Sequence, residues 1–425
     1  MLHKKLANGV DLNVILEDKF KTISFTFDLV SEAIPENFAK RAVLAELMEI
    51  SNQDYPTQSK LARYLSSMYG ASFGTNVLRY GNLSVLRINL SIPNPKFVDA
   101  KVDLLQQAVS FIYSVVFKPL ATDGQFDKDT FTLQRNNMKK YVESVADDKQ
   151  YYASIQLKKL FYKDYLNRGS FIFGTSNDYD LIDSQNEYEY YSNVLNNDNI
   201  KISVIGDVDE ERIYNLFEQF KLSDRSTEYE LAPLTSFKMN DNAEMVDKKI
   251  QSSQSCLNLG YRLPIFYNNK EAMAAVLFNA IFGGTPQSKL FKNVREKNSL
   301  AYSASSSYNS INGFVMVSTG INYSNKDKVL AIVKEQLNDI VKGNVDIDVL
   351  NSIKAEMINA KKAVLDSPRQ NMEQQFVNGL LNRVLSFDEW KQRVNDVTID
   401  QIAEVAKKVE LNSIFFLDGR IDDAN

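Results

Sequence analysis

Apolar residues alternate with polar ones near the start of the chain, and this alternation predicts β-strands. Four apolar residues lie two positions apart, namely Val10, Leu12, Val14 and Leu16. This spacing places side chains on one face of a strand, and it recurs over residues 23–29 and 85–92. Asn8-Gly9 and Gly81-Asn82 are turn-forming pairs. We therefore expect half-buried strands joined by tight turns.

The apolar spacing then changes to three and four residues, which is typical of helices. Residues 37–50 follow this pattern, and a second helix is expected from Pro56 to a glycine cap at Gly70. Longer helical patterns cover residues 97–117 and about 126–147. A continuous apolar run at 200–206 predicts a buried strand that follows these helices.

The same order of elements returns after a polar stretch, which predicts an internal repeat. Residues 223–247 have no clear period and are interpreted as a linker. The tetrapeptide at 58–61, Gln-Ser-Lys-Leu, recurs 229 positions later at 287–290. We predict an α+β protein of two homologous halves, 1–222 and 248–425, each a mostly antiparallel sheet packed with helices, forming a clamshell. Two unrelated α+β domains are the alternative.

Charge and composition narrow the function classes for this chain of 425 residues. Lys and Arg number 49 and Asp and Glu number 54, giving a net charge of −5, so binding to nucleic acid is not expected. No apolar run approaches the roughly 18 residues of a membrane span, and the first residues lack the apolar core of a signal peptide. The single cysteine, Cys256, cannot form an internal disulfide. We expect a cytoplasmic protein.

The chain has a single histidine, His3, near its N-terminus. Catalysis by a Ser-His-Asp triad or by a His general base needs a histidine that the fold can hold in place. A zinc site with two His ligands is excluded, and structural zinc sites need more Cys and His than the chain contains. Sites for Mg²⁺ or Ca²⁺ built from carboxylates alone stay open.

Residues 282–303 carry a dense motif. Gly283-Gly284 precedes a predicted helix with Leu290-Phe291 and Arg295-Glu296-Lys297, and Leu300-Ala301-Tyr302 follows. This stretch resembles the second-half signature of the insulinase, pitrilysin and mitochondrial processing peptidase family. The predicted duplication also matches that family, so the resemblance covers nearly the whole chain. It implies a zinc-peptidase fold.

Active members of that family bind zinc through an inverted His-x-x-Glu-His motif, with a distant Glu as third ligand. At the matching positions this chain has Val43, Glu46 and Leu47. An aliphatic side chain has no lone pair for zinc, and residues 126–140, where the third ligand is expected, contain no Glu. The resemblance therefore implies a catalytically silent member that holds no zinc and no other cofactor. Glu46 without a metal-bound water is interpreted as a solvated helix residue.

Silent members are commonly one half of a heterodimer whose partner carries the zinc. By resemblance, Arg295 and Tyr302 hold the substrate peptide over the partner's metal, since Arg donates several hydrogen bonds and a Tyr hydroxyl can donate to an oxyanion. The alternative is that Arg295 is an ordinary surface charge and Tyr302 a core aromatic at the start of a strand. Gly283 and Gly284 either let a substrate backbone approach or end a helix.

These expectations combine into one functional hypothesis. The chain is a non-catalytic, substrate-binding subunit of a bacterial, cytoplasmic heterodimeric zinc metallopeptidase that acts on peptides. A peptide-binding or scaffold protein that works without a peptidase, as a homodimer for example, is the alternative. An enzyme that uses carboxylates and magnesium has no motif in support.

Overall fold

The computed structural model describes residues 2–99, 101–252, 254–383 and 385–419. Its strands are β1 (Leu2–Ala7), β2 (Val10–Leu16), β3 (Thr22–Glu32), β4 (Ser72–Tyr80), β5 (Leu83–Pro93), β6 (Ala121–Thr122), β7 (Gln125–Phe126), β8 (Asn199–Gly206), β9 (Glu244–Ile250), β10 (Ser255–Arg262), β11 (Ala301–Asn309), β12 (Phe314–Ile321) and β13 (Glu410–Gly419). The hairpins predicted at Asn8-Gly9 and Gly81-Asn82 are confirmed, and Gly9 and Gly81 both adopt positive φ angles.

The α-helices alternate with these strands along the chain. They are α1 (Phe38–Ile50), α2 (Gln58–Ser67), α3 (Leu104–Phe117), α4 (Lys128–Ser144), α5 (Lys149–Phe161), α6 (Leu166–Gly169), α7 (Ser184–Asn197), α8 (Glu210–Glu218), α9 (Ala272–Asn279), α10 (Lys326–Val341), α11 (Ile347–Val364), α12 (Pro368–Leu380), α13 (Phe387–Asn395) and α14 (Ile399–Ala406). Side-chain caps explain several starts: Thr57 accepts from the Lys60 amide and Asp103 from the Gln106 amide. No helix of the described residues is long and apolar enough to cross a membrane.

The chain packs into two compact units that are discontinuous in sequence. Unit 1 takes the chain up to Glu143 together with Phe171–Leu231 and Val364–Asn382. Unit 2 takes Ser144–Ser170, Ala232–Ala363 and the chain from Arg383 onward. The continuous segments 1–222, 223–247 and 248–425 describe the repeat, and their boundaries stay a prediction.

The sheet of unit 1 has six strands in the order β1-β2-β8-β3-β5-β4. All neighbours are antiparallel except β2 and β8. One face packs on α1, α3 and α7, and the core there includes Phe25, Phe27 and Val43. The alternation of side chains along β3 places Asp28 on the opposite face.

The sheet of unit 2 repeats this topology with different strands. Its order is β11-β12-β10-β13-β9, and only β13 and β9 are parallel. Read from its other edge, each strand has a counterpart in unit 1 in the same order and direction, and β1 alone is additional. The predicted α+β class with two homologous halves and mostly antiparallel sheets is confirmed.

One helix in each unit comes from the other half of the chain. In unit 2, α5 packs on β10 and β13 through an apolar cluster that includes Leu157, Phe161 and Phe415. In unit 1, α12 packs on β8 and β3, and Met372 contacts a small cluster with Phe20 and Ile205. Both helices therefore lie on the sheet face opposite the main core of their unit.

The polar stretch at 223–247 contains one element that its sequence does not predict. Residues 244–250, Glu-Met-Val-Asp-Lys-Lys-Ile, form β9, whose side chains are largely exposed. This strand adds in parallel to β13 at the edge of the sheet. An exposed edge strand has no buried face, and so its sequence shows no apolar alternation.

Candidate functional site

Helix α1 carries the positions that match the zinc motif, and two of them lie in the core of unit 1. The side chains of Val43 and Leu47 are 0% and 4% exposed and belong to the main apolar cluster. Neither can ligate a metal, so these residues do not fit zinc. The helix presents packing side chains where a metal site would need donors.

Glu46 lies on the same helix and is half-buried. Burial raises the pKa of its carboxyl group, and the nearby Glu49 carboxylate raises it further. Glu49 itself accepts hydrogen bonds from the Thr75 amide at 2.7 Å and the Thr75 hydroxyl at 2.9 Å. Glu49 therefore links α1 to β4, whereas Glu46, interpreted from the sequence as solvated, is partly buried.

The region expected to hold a third ligand forms the start of α4. Asp127 accepts from the Thr130 amide at 2.9 Å, and this capping interaction lowers the pKa of Asp127. The carboxylate thus serves the helix terminus. Across residues 2–99, 101–252, 254–383 and 385–419, no group of three or more His, Cys, Asp or Glu side chains has an arrangement that could hold a metal ion.

Arg295 lies in unit 2 on the helical segment Phe291–Lys297, which is wound as a π-helix. Such segments are rare and occur frequently at functional sites. The side chain is exposed, and its guanidinium carbon lies 4.7 Å from the ring centroid of Phe291. At an exposed site this cation–π contact contributes roughly 0.5–1 kcal/mol. Phe291 orients the guanidinium and leaves its five donors available.

Tyr302 follows this helix at the start of the edge strand β11. The helix ends where Ser299 adopts a φ of 50° and donates its amide to the Arg295 carbonyl. Tyr302 is the extra residue of a β-bulge, because Ala301 and Ser303 pair with consecutive residues of β12. Its side chain is 73% exposed. The alternative of a core aromatic at the start of a strand is therefore wrong.

Gly283 and Gly284 lie in a second π-helical segment, Ala280–Gly284, directly after α9. A Cβ atom on Gly283 would lie 2.6 Å from the backbone nitrogen of Ser306 in β11. On Gly284 it would lie 2.8 Å from the side-chain nitrogen of Asn279. Both glycines therefore permit close packing within unit 2, and a role in substrate binding stays a prediction.

Ser306 was not anticipated from the sequence. Its hydroxyl donates to the Asn279 side-chain oxygen at 2.8 Å, so it joins β11 to the end of α9 beside Gly283. The exposed serines of β11 lie at 303, 305 and 307, so Ser306 falls on the opposite face, which it shares with the buried Ala304.

The arrangement in unit 2 offers exposed hydrogen-bond donors. Arg295 and Tyr302 present a guanidinium and a phenol from two consecutive elements. Neither side chain forms a hydrogen bond or an ion pair with another described side chain. Arg295 makes only the cation–π contact with Phe291. Guanidinium and phenol donors match the carbonyl oxygens of a peptide.

Comparison with known proteins gives a family match and a full-length relative. Residues 182–357 match the family described as peptidase M16 inactive domain. The chain is 26% identical over 416 residues to a protein of Bacillus subtilis named "Probable inactive metalloprotease YmfF". That alignment covers 98% of this chain and 97% of the relative.

Two solved structures are similar to this chain over its full length. A conserved protein from Enterococcus faecalis is 34% identical, with a TM-score of 0.93, 100% coverage of this chain and 99% of that one. A peptidase M16 inactive domain from Pseudomonas fluorescens is 17% identical with a TM-score of 0.81, and both chains are covered completely. At 17% identity, the similarity to the Pseudomonas fluorescens structure supports the fold alone.

Proposed function

Because this chain belongs to the M16 peptidase family as a homologue of its inactive metalloproteases, we propose that it is the non-catalytic, substrate-binding subunit of a zinc metallopeptidase heterodimer acting on peptides. The zinc and its activated water come from a homologous partner. The observation that carries the proposal is that Arg295 and Tyr302 are both exposed and that, among the residues the structure describes, neither side chain forms a hydrogen bond or an ion pair. A tyrosine that serves the fold usually packs its ring, whereas 73% of the Tyr302 side chain is exposed.

In this proposal Arg295 binds carbonyl oxygens of the substrate, and the Tyr302 hydroxyl donates to the oxyanion that forms when the partner's water attacks the scissile amide. The bulge at Tyr302 directs the phenol away from the regular strand, as bulges near functional sites often do. The pair works in the bacterial cytosol, in keeping with the bacterial relatives and with Cys256, the single cysteine, which forms no disulfide within the chain.

The test mixes the purified chain with the zinc-bearing M16 subunit of the same genome and measures cleavage of an internally quenched peptide. Each subunit alone should be nearly inert, and the mixture should be active. Arg295→Ala and Tyr302→Phe should each lower kcat/KM of the mixture by ~10²–10³-fold, the loss expected for one transition-state hydrogen-bond donor.

Lys297→Ala is the matched control, since it removes an exposed positive charge from the same helical segment. It should leave kcat/KM and the thermal midpoint unchanged. Full activity of the zinc subunit alone, or a mixed complex unaffected by Tyr302→Phe, would contradict the proposal. A chain that self-associates and binds peptides without any zinc partner would favour the scaffold alternative.

A further inference from the structure

Unit 2 contains a cavity of about 670 Å³ lined by residues of α9, α13 and α14. Pockets for small ligands usually measure about 300–1,000 Å³. Arg295, Tyr302, Gly283 and Gly284 are outside its lining, so the cavity is separate from the candidate site and plays no part in the proposed function.

One wall of the cavity is apolar. Met273 on α9, Met357 on α11 and Trp390 on α13 contribute side chains to it. Trp390 is only partly buried although it is the single tryptophan of the chain. Thioether and indole groups adapt to varied apolar partners. The wall is therefore suited to an apolar or aromatic ligand body.

Positive charge gathers beside this wall. Arg383 and Arg393 line the cavity, and the Lys361 ammonium lies 5.4 Å from the Trp390 ring centroid. Burial and the neighbouring Arg393 charge lower the pKa of Arg383, and burial and the Arg383 charge lower that of Lys361. Within the described part of the chain, neither Lys361 nor Arg393 forms an ion pair. The positive charge of Arg383 thus repels those of both Arg393 and Lys361, and a bound anion would relieve that repulsion.

Acidic residues also line the cavity, but most have partners. Glu271 pairs with Lys408 at 2.7 Å and Glu404 with Lys407 at 2.6 Å. Asp396 accepts from the Gln392 amide at 2.6 Å. Asp396 and Asp400 form no ion pair among the described residues, and their negative charges disfavour a doubly charged anion such as a phosphate monoester. A singly charged carboxylate fits this balance, and arginine binds it with two parallel hydrogen bonds.

We propose that this cavity binds a carboxylate attached to an apolar body, with the carboxylate at Arg393 and Arg383 and the body against Trp390. The C-terminal residue of a peptide and a free aliphatic acid share this chemistry. Either ligand buries apolar surface and neutralises the cation cluster in one step.

The test follows the fluorescence of Trp390, which is the only indole emission of the full chain. The probes are the tripeptide N-acetyl-Gly-Gly-Phe with a free carboxylate, the same tripeptide as its C-terminal amide, and decanoate. We expect a saturable change with the acid and a binding weaker by about tenfold or more with the amide. Tighter binding of the tripeptide assigns the site to peptide ends, and tighter binding of decanoate assigns it to free acids.

Arg393→Gln should weaken binding of the acid by about tenfold or more, and Lys361→Gln should act in the same direction. Arg63→Gln in unit 1 is the control and should leave binding unchanged, since Arg63 is an exposed residue of α2. Thermal midpoints of all variants exclude unfolding as the cause. Equal affinity for acid and amide, or no saturable binding of any probe by fluorescence and calorimetry at millimolar concentration, would overturn the proposal.

Discussion

The two sheets share one topology, yet the faces that receive the exchanged helices differ in chemistry. In unit 2, α5 packs mainly on rings and aliphatic chains: the Phe161 ring centroid lies 4.5 Å from that of Phe314 in β12 and 4.6 Å from that of Phe237, which precedes β9. In unit 1, α12 meets a face that carries charge. Arg87 donates from Nε to Asp28 at 2.5 Å and also pairs with Glu373 of α12.

The polar face of unit 1 extends to Tyr80, which donates to Glu373 and packs on Phe376 with the centroids 5.5 Å apart. Arg87 also lies over the Phe376 ring, 4.6 Å from its centroid. Apolar burial stabilises in a way that is independent of pH and needs no specific partner. Buried charges stabilise only while every partner is present. The same topology thus holds its added helix by apolar packing in unit 2 and by buried charges in unit 1. We expect substitutions and pH to destabilise these two contacts differently.

The largest effect should follow from Arg87→Ala, which leaves the fully buried Asp28 without its partner. Removing one member of a buried ion pair costs about 3–5 kcal/mol of unfolding free energy, measurable by urea denaturation of the full chain. The double variant Asp28→Ala, Arg87→Ala should cost less than the sum of the two single changes, because no unpaired charge remains. If Arg87→Ala lowers the unfolding free energy by less than about 1 kcal/mol, the buried ion pair does not stabilise unit 1 in the way proposed for its polar face.

The second effect is a pH dependence of the unfolding free energy that arises from Asp28 in unit 1. Burial raises the pKa of Asp28 to about 6, against the opposing effect of Arg87. The folded state therefore binds this proton more tightly than the unfolded state, where the value is about 3.8. Stability from Asp28 is fully present below about pH 4 and is lost as the pH rises towards 6, by roughly 3 kcal/mol.

The measurement compares unfolding free energies of the wild type and Asp28→Asn between pH 4 and 7. The asparagine variant lacks the titrating proton. The unfolding free energy of the wild type minus that of the variant should therefore fall as the pH rises from 4 to about 6 and then level off. A constant difference would mean that Asp28 ionises at the same pH in both states.

The third effect probes the apolar face of unit 2. A Cβ atom on Gly260 would lie 3.0 Å from Phe161 and 3.2 Å from Phe314, so Gly260→Ala should cost about 1–3 kcal/mol through overpacking. Gly379→Ala on α12 is the matched control. Nothing lies within 4 Å of its added methyl group, and alanine favours the helix by about 1 kcal/mol. Thermal unfolding should move the two variants in opposite directions.

The smallest effect concerns Glu46. Glu46→Gln removes a half-buried charge that faces another carboxylate, and we expect the unfolding free energy to change by less than about 0.5 kcal/mol. Activity of the mixed heterodimer should also stay unchanged, since no step uses this carboxyl group. A loss of turnover at unchanged stability would assign Glu46 a role in catalysis.

Local patterns predicted the strands and most helices because alternation and helical spacing record which side of an element is buried. The resemblance to the peptidase family, rather than any local pattern, singled out Arg295 and Tyr302. The charged face could not be predicted in this way: Asp28, Arg87 and Glu373 are separated by 59 and 286 positions along the chain. The exchange of α5 and α12 was missed for the same reason, since an amphipathic helix does not specify which sheet it covers.

The helix exchange also fixes the order in which each face is completed on the ribosome. Helix α12 emerges roughly 160 residues after β8, which at about 5–20 residues per second leaves its place on unit 1 uncovered for about 10–30 s. That face carries Asp28 and Arg87, which stay hydrated while exposed. Helix α5 is made before β10 and β13. It is therefore available to cover the aromatic face of unit 2 as soon as those strands have been synthesised. The more apolar of the two faces is thus the one whose covering helix is already made when its strands emerge.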